Sequence, residues 1–152
     1  MPRIERTAEV TWDGNVARGT GAITAATGAF SALPFSVATR IGAAEGKTSP
    51  EELLAAAHAG CFAMSLASEL TTDGTPPGRL DVRCTIVMDE VPGEGHQIVG
   101  SNVVVEAEAD GASDETLAAA LARAHASCPF STLLGKAGVE VNVALSAAAA
   151  RS

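Results

Sequence analysis

The segment Thr48-Ser49-Pro50-Glu51-Glu52-Leu53-Leu54 opens a long helix whose first turn is already specified by its residues. Ser49 can accept from the amide of Glu52 while Glu52 reaches back, a capping box, and Pro50 takes the first helical position, where its missing N–H costs nothing. Beyond that turn Leu54, Ala57, Cys61, Met64 and Ser68 recur at three- and four-residue steps. They are expected to form the packed stripe of the helix, with the Cys61 thiol sheltered on it.

The chain on either side reads mostly as strands. Ile4, Arg6, Ala8, Val10 and Trp12 alternate with Glu5, Thr7, Glu9 and Thr11 until Asp13-Gly14-Asn15 turns the chain. A second strand is expected over Val16 to Thr24, carrying Arg18. Gly19 and Gly21 in that strand allow close approach to its backbone. After a turn at Thr27-Gly28, Phe35 to Thr39 reads as a third strand. Past the long helix, Asp73-Gly74-Thr75-Pro76-Pro77-Gly78 breaks the chain, and Val82, Cys84, Ile86 and Met88 then share one face of a strand. Pro92-Gly93-Glu94-Gly95 turns into a long strand from Ile98 to Ala109. Ser113 caps a second helix with the apolar stripe Leu117, Leu121, Ala124 and Cys128, ended by Pro129. Val139, Val141 and Val143 make a last strand, and the tail from Ala147 to Ser152 is expected to fray. The order predicts one α+β domain over residues 1–152, with antiparallel pairing throughout.

Alanine inflates the 47% hydrophobic fraction, since only four Phe, one Trp and no Tyr supply large core side chains. Such a core favours close backbone packing, with a dimer expected to complete it. A formal net charge of −8 disfavours nucleic acid, whose binding rests on clustered Lys and Arg. The charged opening Met1-Pro2-Arg3-Ile4-Glu5-Arg6 and the expected lack of an 18-residue apolar span point to a cytoplasmic chain without a membrane partner. Three scattered cysteines in a reducing compartment read as catalytic, metal-binding or inert thiols rather than as a disulfide framework.

The Cys61 helix, taken with Ala126-Ser127-Cys128-Pro129-Phe130-Ser131, with Trp12-Asp13-Gly14 and with Arg18-Gly19, resembles the OsmC/Ohr family of thiol-dependent peroxidases. The resemblance covers nearly the whole chain, and His58 in Ala57-His58-Ala59-Gly60-Cys61 is similar to the OsmC branch. It implies an OsmC-like fold, with antiparallel sheets around two helices in an intertwined homodimer whose long helices are central. It also implies an activity, the reduction of hydroperoxides by a peroxidatic and a resolving cysteine.

A peroxide is attacked by a thiolate, and burial opposes ionisation of a thiol, so a cation is needed at Cys61. The family's active-site arginine is matched by Arg18, whose guanidinium stays charged and can donate to the peroxide oxygens. Its orienting carboxylate is matched by Glu51, with Glu52 left as the capping residue. Glu51 and Cys61 are separated by roughly 15 Å along a continuous helix, so either Arg18 spans the gap or the two meet across a dimer. Oxidised Cys61 would be resolved by Cys128 to a disulfide, and the resemblance implies a dithiol reductant such as a lipoylated protein. Organic hydroperoxides are the expected substrates if Phe35, Met64 and Phe130 line the entrance. No cofactor or metal is required by this scheme.

Plainer readings stand beside each assignment. Cys61 and Cys128 can be inert packing residues, Arg18 a solvated charge, and Glu51 a first-turn acid favoured by the helix dipole. Cys84 reads as core. His58 is expected at an interface and His125 at a helix C-terminus. Two alternatives of another class remain. One is a non-enzymatic Cys61–Cys128 switch, and the other a structural zinc domain built on His58, Cys61, His125 and Cys128.

Overall fold

The structure is a computed structural model that describes residues 1–146, so the tail from Ala147 lies outside the described residues. Its residues gather into two compact units, Met1–Pro50 and Glu51–Ser152.

The first unit is a three-stranded antiparallel sheet of β1 (Ala8–Asp13), β2 (Thr20–Ala25) and β3 (Leu33–Phe35), followed by the short helix α1 (Val37–Ile41). Gly21 pairs with Trp12 on one side and Phe35 on the other. A Cβ there would come within 2.3 Å of the Phe35 ring, which lies over the glycine and 5.6 Å from the Trp12 ring. The expected close approach at Gly21 is therefore an aromatic packed on bare backbone.

Two expectations for this unit are corrected. The second strand begins at Thr20 rather than Val16, because the Asn15 side-chain oxygen accepts from the amides of Ala17 and Arg18 at 3.1 and 3.0 Å and winds residues 15–18 into a turn. The third strand ends at Phe35, since Ser36 takes the amide of Thr39 at 3.1 Å and starts a helix where a strand was expected.

The second unit contains α2 (Pro50–Thr72), β4 (Arg79–Val91), β5 (Gly95–Glu108), α3 (Asp114–Ser127), α4 (Pro129–Lys136) and β6 (Glu140–Leu145). Strands β4 and β5 form a long antiparallel hairpin, with a register shift between Val87 and Met88. Strand β6 runs parallel to β5, which overturns the expectation of antiparallel pairing throughout. The cause is the crossover: α3 and α4 carry the chain back along the sheet, so β6 enters in the same direction as β5. Helix α4 was not foreseen. Pro129 lacks the N–H needed to continue α3, but the same ring presets the first turn of a new helix.

The core of this unit lies between the sheet and the helices: Phe62, Leu66 and Leu70 of α2, Val103 and Val105 of β5, and Leu117, Ala120, Leu121, Ala124 and Cys128 along and beyond α3. The predicted stripe of α3 is therefore the buried one, and its Ser113 cap is present, accepting from Thr116 at 3.1 Å. On α2 the phase is different. His58, Phe62, Leu66 and Leu70 are buried, whereas Ala57, Met64 and Ser68 are exposed, Met64 by 70%. Alanines on every side of the helix left the apolar pattern without a sharp direction, and the phase was decided by the large side chains. Arg123 of α3 ties down the far end of α2 through Glu69 and Asp73. By length and composition α2 is long and apolar enough to cross a membrane, contrary to expectation. Its hydropathy comes from four leucines and six alanines together, and its four largest inward residues are buried in the protein.

Candidate active site

Cys61 and Cys128 are distant in sequence and lie on different elements, yet their thiols are near enough that each shifts the ionisation of the other. Cys61 sits one position before Phe62 on α2, at the edge of the buried stripe, and is half-buried. Cys128 is fully buried at the junction of α3 and α4. Its backbone serves both helices, with its N–H donating to Ala124 O at 2.8 Å and its carbonyl accepting from Thr132 N at 3.0 Å. All three cysteines are free thiols.

The junction makes Cys128 the N-cap residue of α4; its side chain makes no capping hydrogen bond, and the first-turn amides of Phe130 and Ser131 act on the thiol electrostatically. Burial alone pushes its thiol up. The backbone N–H and hydroxyl of Ser131, the Cys61 thiol and the Phe130 N–H together outweigh burial, leaving the thiol below its ordinary range. Cys61 is pushed the other way, first by burial and then by donating to Cys128, with the Phe130 N–H as the influence that pulls it down. The expectation had placed the depressed thiol at Cys61. Within this unit the lowered thiol is Cys128, because the helix terminus and Ser131 are aimed at it.

The remaining expected site residues fall as follows. Glu51 is the second residue of α2, ten positions before Cys61 on one unbroken helix. Arg18 belongs to the first unit, where it is exposed in the turn before β2 rather than within a strand. The glycine after it is required by its own turn, since a Cβ on Gly19 would meet Asn15 O at 2.5 Å. Of the expected entrance residues, Phe130 supplies its amide to both thiols, Met64 is exposed on α2, and Phe35 packs on Gly21 in the first unit.

His58 was expected at an interface. It is instead fully buried inside the second unit, with Nδ1 2.7 Å from Ser101 Oγ and Nε2 2.8 Å from Ser131 Oγ. Burial, and then the charge of His125, lower its pKa and keep the ring neutral. His125 does lie in the last turn of α3, and its Nδ1 is buried with no hydrogen-bond partner among the described residues. Cys84 faces the core from β4 as expected, and its sulfur also lies 3.3 Å from Ser101 Oγ. Among the described residues no group of three or more His, Cys, Asp or Glu side chains is arranged to hold a metal ion. The quartet required by a zinc domain is therefore not assembled, and His58 spends both nitrogens on hydroxyls.

Sequence reasoning missed Ser101 and Ser131. Ser131 carried a signal, standing three residues after Cys128 at the spacing by which a helix start is capped. Ser101 carried none, because a serine in a strand between Gly100 and Asn102 reads as surface.

Residues 42–144 match the family model described as OsmC-like protein. The chain belongs to the OsmC family. It is 31% identical to peroxiredoxin OsmC of Escherichia coli (strain K12) over 131 residues, which cover 86% of this chain and 90% of that protein. Among solved structures it is similar to the organic hydroperoxide resistance protein OhrB of Bacillus subtilis, with a TM-score of 0.72 at 26% identity, over 92% of this chain and 98% of that one. It shares its fold with an organic hydroperoxide resistance protein OsmC from Legionella pneumophila, with a TM-score of 0.71 at 22% identity, over 95% and 99% of the two chains. The family expected from the Cys61 helix and the Cys-Pro-x-Ser element is thus the family found, and the OsmC-like fold with it.

Proposed function

We propose that this chain reduces organic hydroperoxides through a two-thiol cycle in which Cys61 is oxidised and Cys128 resolves it. The enzyme class follows from family membership: the chain is a cysteine-based peroxidase. The observation that supports the two-thiol reading is the mutual influence of Cys61 and Cys128, two thiols from separate elements that shift each other's ionisation and are both acted on by the Phe130 amide.

In the cycle the Cys61 thiolate attacks the outer oxygen of the hydroperoxide. The O–O bond breaks, the alcohol leaves after taking a proton, and Cys61 becomes a sulfenic acid. The Cys128 thiolate then attacks that sulfur, the S–O bond breaks, and water leaves behind a disulfide. An external dithiol returns both sulfurs to thiols by exchange, and a lipoylated protein is the reductant assigned here.

Arg18 is assigned as the cation that ionises Cys61 and meets the peroxide oxygens, with Glu51 as the carboxylate that orients it. Burial raises the Cys61 thiol within its own unit, so a charge from elsewhere is what the chemistry asks for. We assign both units to one domain over residues 1–152 and the assembly to a homodimer, which the exposed Ala57, Met64 and Ser68 face of α2 supports by offering a surface for a second copy. Three free thiols suit the cytoplasm.

The decisive experiment is steady-state turnover of tert-butyl hydroperoxide and hydrogen peroxide with dihydrolipoamide or thioredoxin as rival reductants. Faster turnover of the organic peroxide, with dihydrolipoamide preferred, is expected. Stoichiometric oxidation of Cys61 and Cys128 without turnover under any dithiol would leave a redox switch in place of an enzyme.

A further inference from the structure

The interior of the second unit holds a line of polar side chains that the two-thiol cycle leaves unused. Cys84 Sγ of β4 is 3.3 Å from Ser101 Oγ of β5, which is 2.7 Å from His58 Nδ1 of α2. His58 Nε2 is 2.8 Å from Ser131 Oγ of α4, and Ser131 stands in the first turn of the helix that Cys128 N-caps, where its hydroxyl lowers the Cys128 thiol. Ser101, His58 and Ser131 are all buried, where an unpaired polar group is costly and a fully paired set specifies one arrangement.

Proton counting fixes the direction of that set. When Cys128 ionises to attack, its sulfur only accepts, so the single hydroxyl proton of Ser131 must then point to it. The Ser131 oxygen then accepts from His58 Nε2–H. A neutral imidazole protonated on Nε2 has a bare Nδ1, which takes the hydroxyl proton of Ser101, and the Ser101 oxygen accepts from the Cys84 S–H. Every donor is used, and all point toward Cys128.

We infer that His58 is a positioning residue for the resolving step: its Nε2–H holds the Ser131 hydroxyl turned onto Cys128, so that the line Cys84–Ser101–His58–Ser131 orients a donor onto the sulfur as it attacks oxidised Cys61. The inference rests on the peroxidase reading above. In the step it serves, the Cys128–Cys61 S–S bond forms and the S–O bond of the Cys61 sulfenic acid breaks. The hydroxide released takes a proton from a solvent acid and leaves as water, and the oxidising equivalent is the one already drawn from the peroxide. His58 touches neither reacting sulfur.

The groups facing His58 suit a neutral ring. Ser101 and Cys84 approach from the sheet, the latter with its sulfur 3.8 Å from Nδ1, Ser131 approaches from α4, and His125 acts on it from α3. On its own helix the Phe62 ring stands edge-on, 6.5 Å between centroids. An imidazolium would force Nδ1 to donate and turn the Ser101 hydroxyl away, breaking the line.

The test measures Cys128 directly. In a Cys61→Ser background, the pH dependence of alkylation is followed on the Cys128 peptide by mass spectrometry, alone and with Ser131→Ala, His58→Leu or His58→Gln. A hydrogen bond to a charged group biases ionisation by roughly ten- to a hundredfold. Ser131→Ala and His58→Leu are expected to lower the thiolate fraction at pH 7 by about tenfold or more, and His58→Gln, which keeps a side-chain N–H, to restore part of it. With Cys61 present, stopped-flow resolution of the sulfenic acid is expected to slow by about three- to tenfold at pH 7, because a more basic thiolate is scarcer but more nucleophilic. That deficit closes at high pH, which a merely structural role would not produce.

A wild-type measurement stands beside the variants: nitrogen-15 NMR of the His58 ring is expected to show the Nε2–H tautomer. The inference is overturned if folded Ser131→Ala and His58→Leu give the wild-type Cys128 profile, or if His58 carries its proton on Nδ1. Failure of the peroxidase reading is visible separately, as no Cys61 sulfenic acid on adding peroxide, and leaves the alkylation and NMR arms intact.

Discussion

Lowering the pH from 7.5 to 5.0 should destabilise this protein through His58, and the size of the effect can be worked from its surroundings. The ring is fully buried between Ser101 and Ser131, and burial, followed by the charge of His125, lowers its pKa. In the unfolded chain the same imidazole titrates at its ordinary value near 6.5. The folded pKa is thus below the unfolded one. Above pH 6.5 the ring is neutral in both states and contributes nothing to pH dependence. Below it the unfolded chain takes up a proton that the native state refuses, so stability falls with pH. The limiting slope is about 1.4 kcal/mol per pH unit for one proton. Integrated from pH 7.5 to pH 5.0, a ring that stays neutral throughout loses up to about 2 kcal/mol, or roughly 4–8 °C in Tm for a chain of this size. Carboxylates titrate mostly below this window. The assay is thermal or urea unfolding at half-unit pH steps for wild type and His58→Gln, because subtracting the curves removes the contributions of His96 and His125. A flat difference curve, with both proteins folded at pH 7.5, would refute the argument that His58 is held neutral in the native state.

Cys61→Ser should abolish turnover of tert-butyl hydroperoxide, since a serine hydroxyl is un-ionised at neutral pH and a poor nucleophile without an activating base. Peroxide treatment of the wild type should yield a Cys61–Cys128 linked peptide by non-reducing mass spectrometry, and substantial residual activity in Cys61→Ser would reassign the nucleophile. Arg18→Ala should raise the Cys61 pKa and slow peroxide attack by orders of magnitude while the fold survives, with Arg18→Lys restoring only part, because a point charge lacks the planar fork. Identical Cys61 alkylation profiles in Arg18→Ala and wild type would remove Arg18 from the activating role. Leu66→Ala, which empties part of the core at a residue 1% exposed, should cost about 2–5 kcal/mol in urea unfolding. A loss under about 1 kcal/mol would mean that the α2 stripe is not the packed one.

The sequence by itself determined what depends on neighbours along the chain. Pro50 starts α2, Ser113 caps α3, Pro129 stops it, and alternation in β4 places Val82, Cys84, Ile86 and Met88 on one face. These signals act within a few residues, through caps, missing donors and a period of two. The family motif around Cys61 and Cys128 was legible for the same reason, as short patterns on well-started helices. The tertiary structure alone decided the rest. The parallel entry of β6 depends on where two helices return the chain. The phase of α2 depends on which large side chains meet the sheet, because its alanines favour no direction. The turn at Asn15 and the helix at Ser36 show side-chain oxygens capturing backbone amides where a strand pattern was expected. The polar line at the site was the least legible feature. Ser101 and Ser131 stand 43 and 73 positions from His58, and a hydrogen bond across such distances leaves no period, spacing or composition to read. Only packing α2 against the sheet and α4 puts two hydroxyls on the two nitrogens of one buried ring.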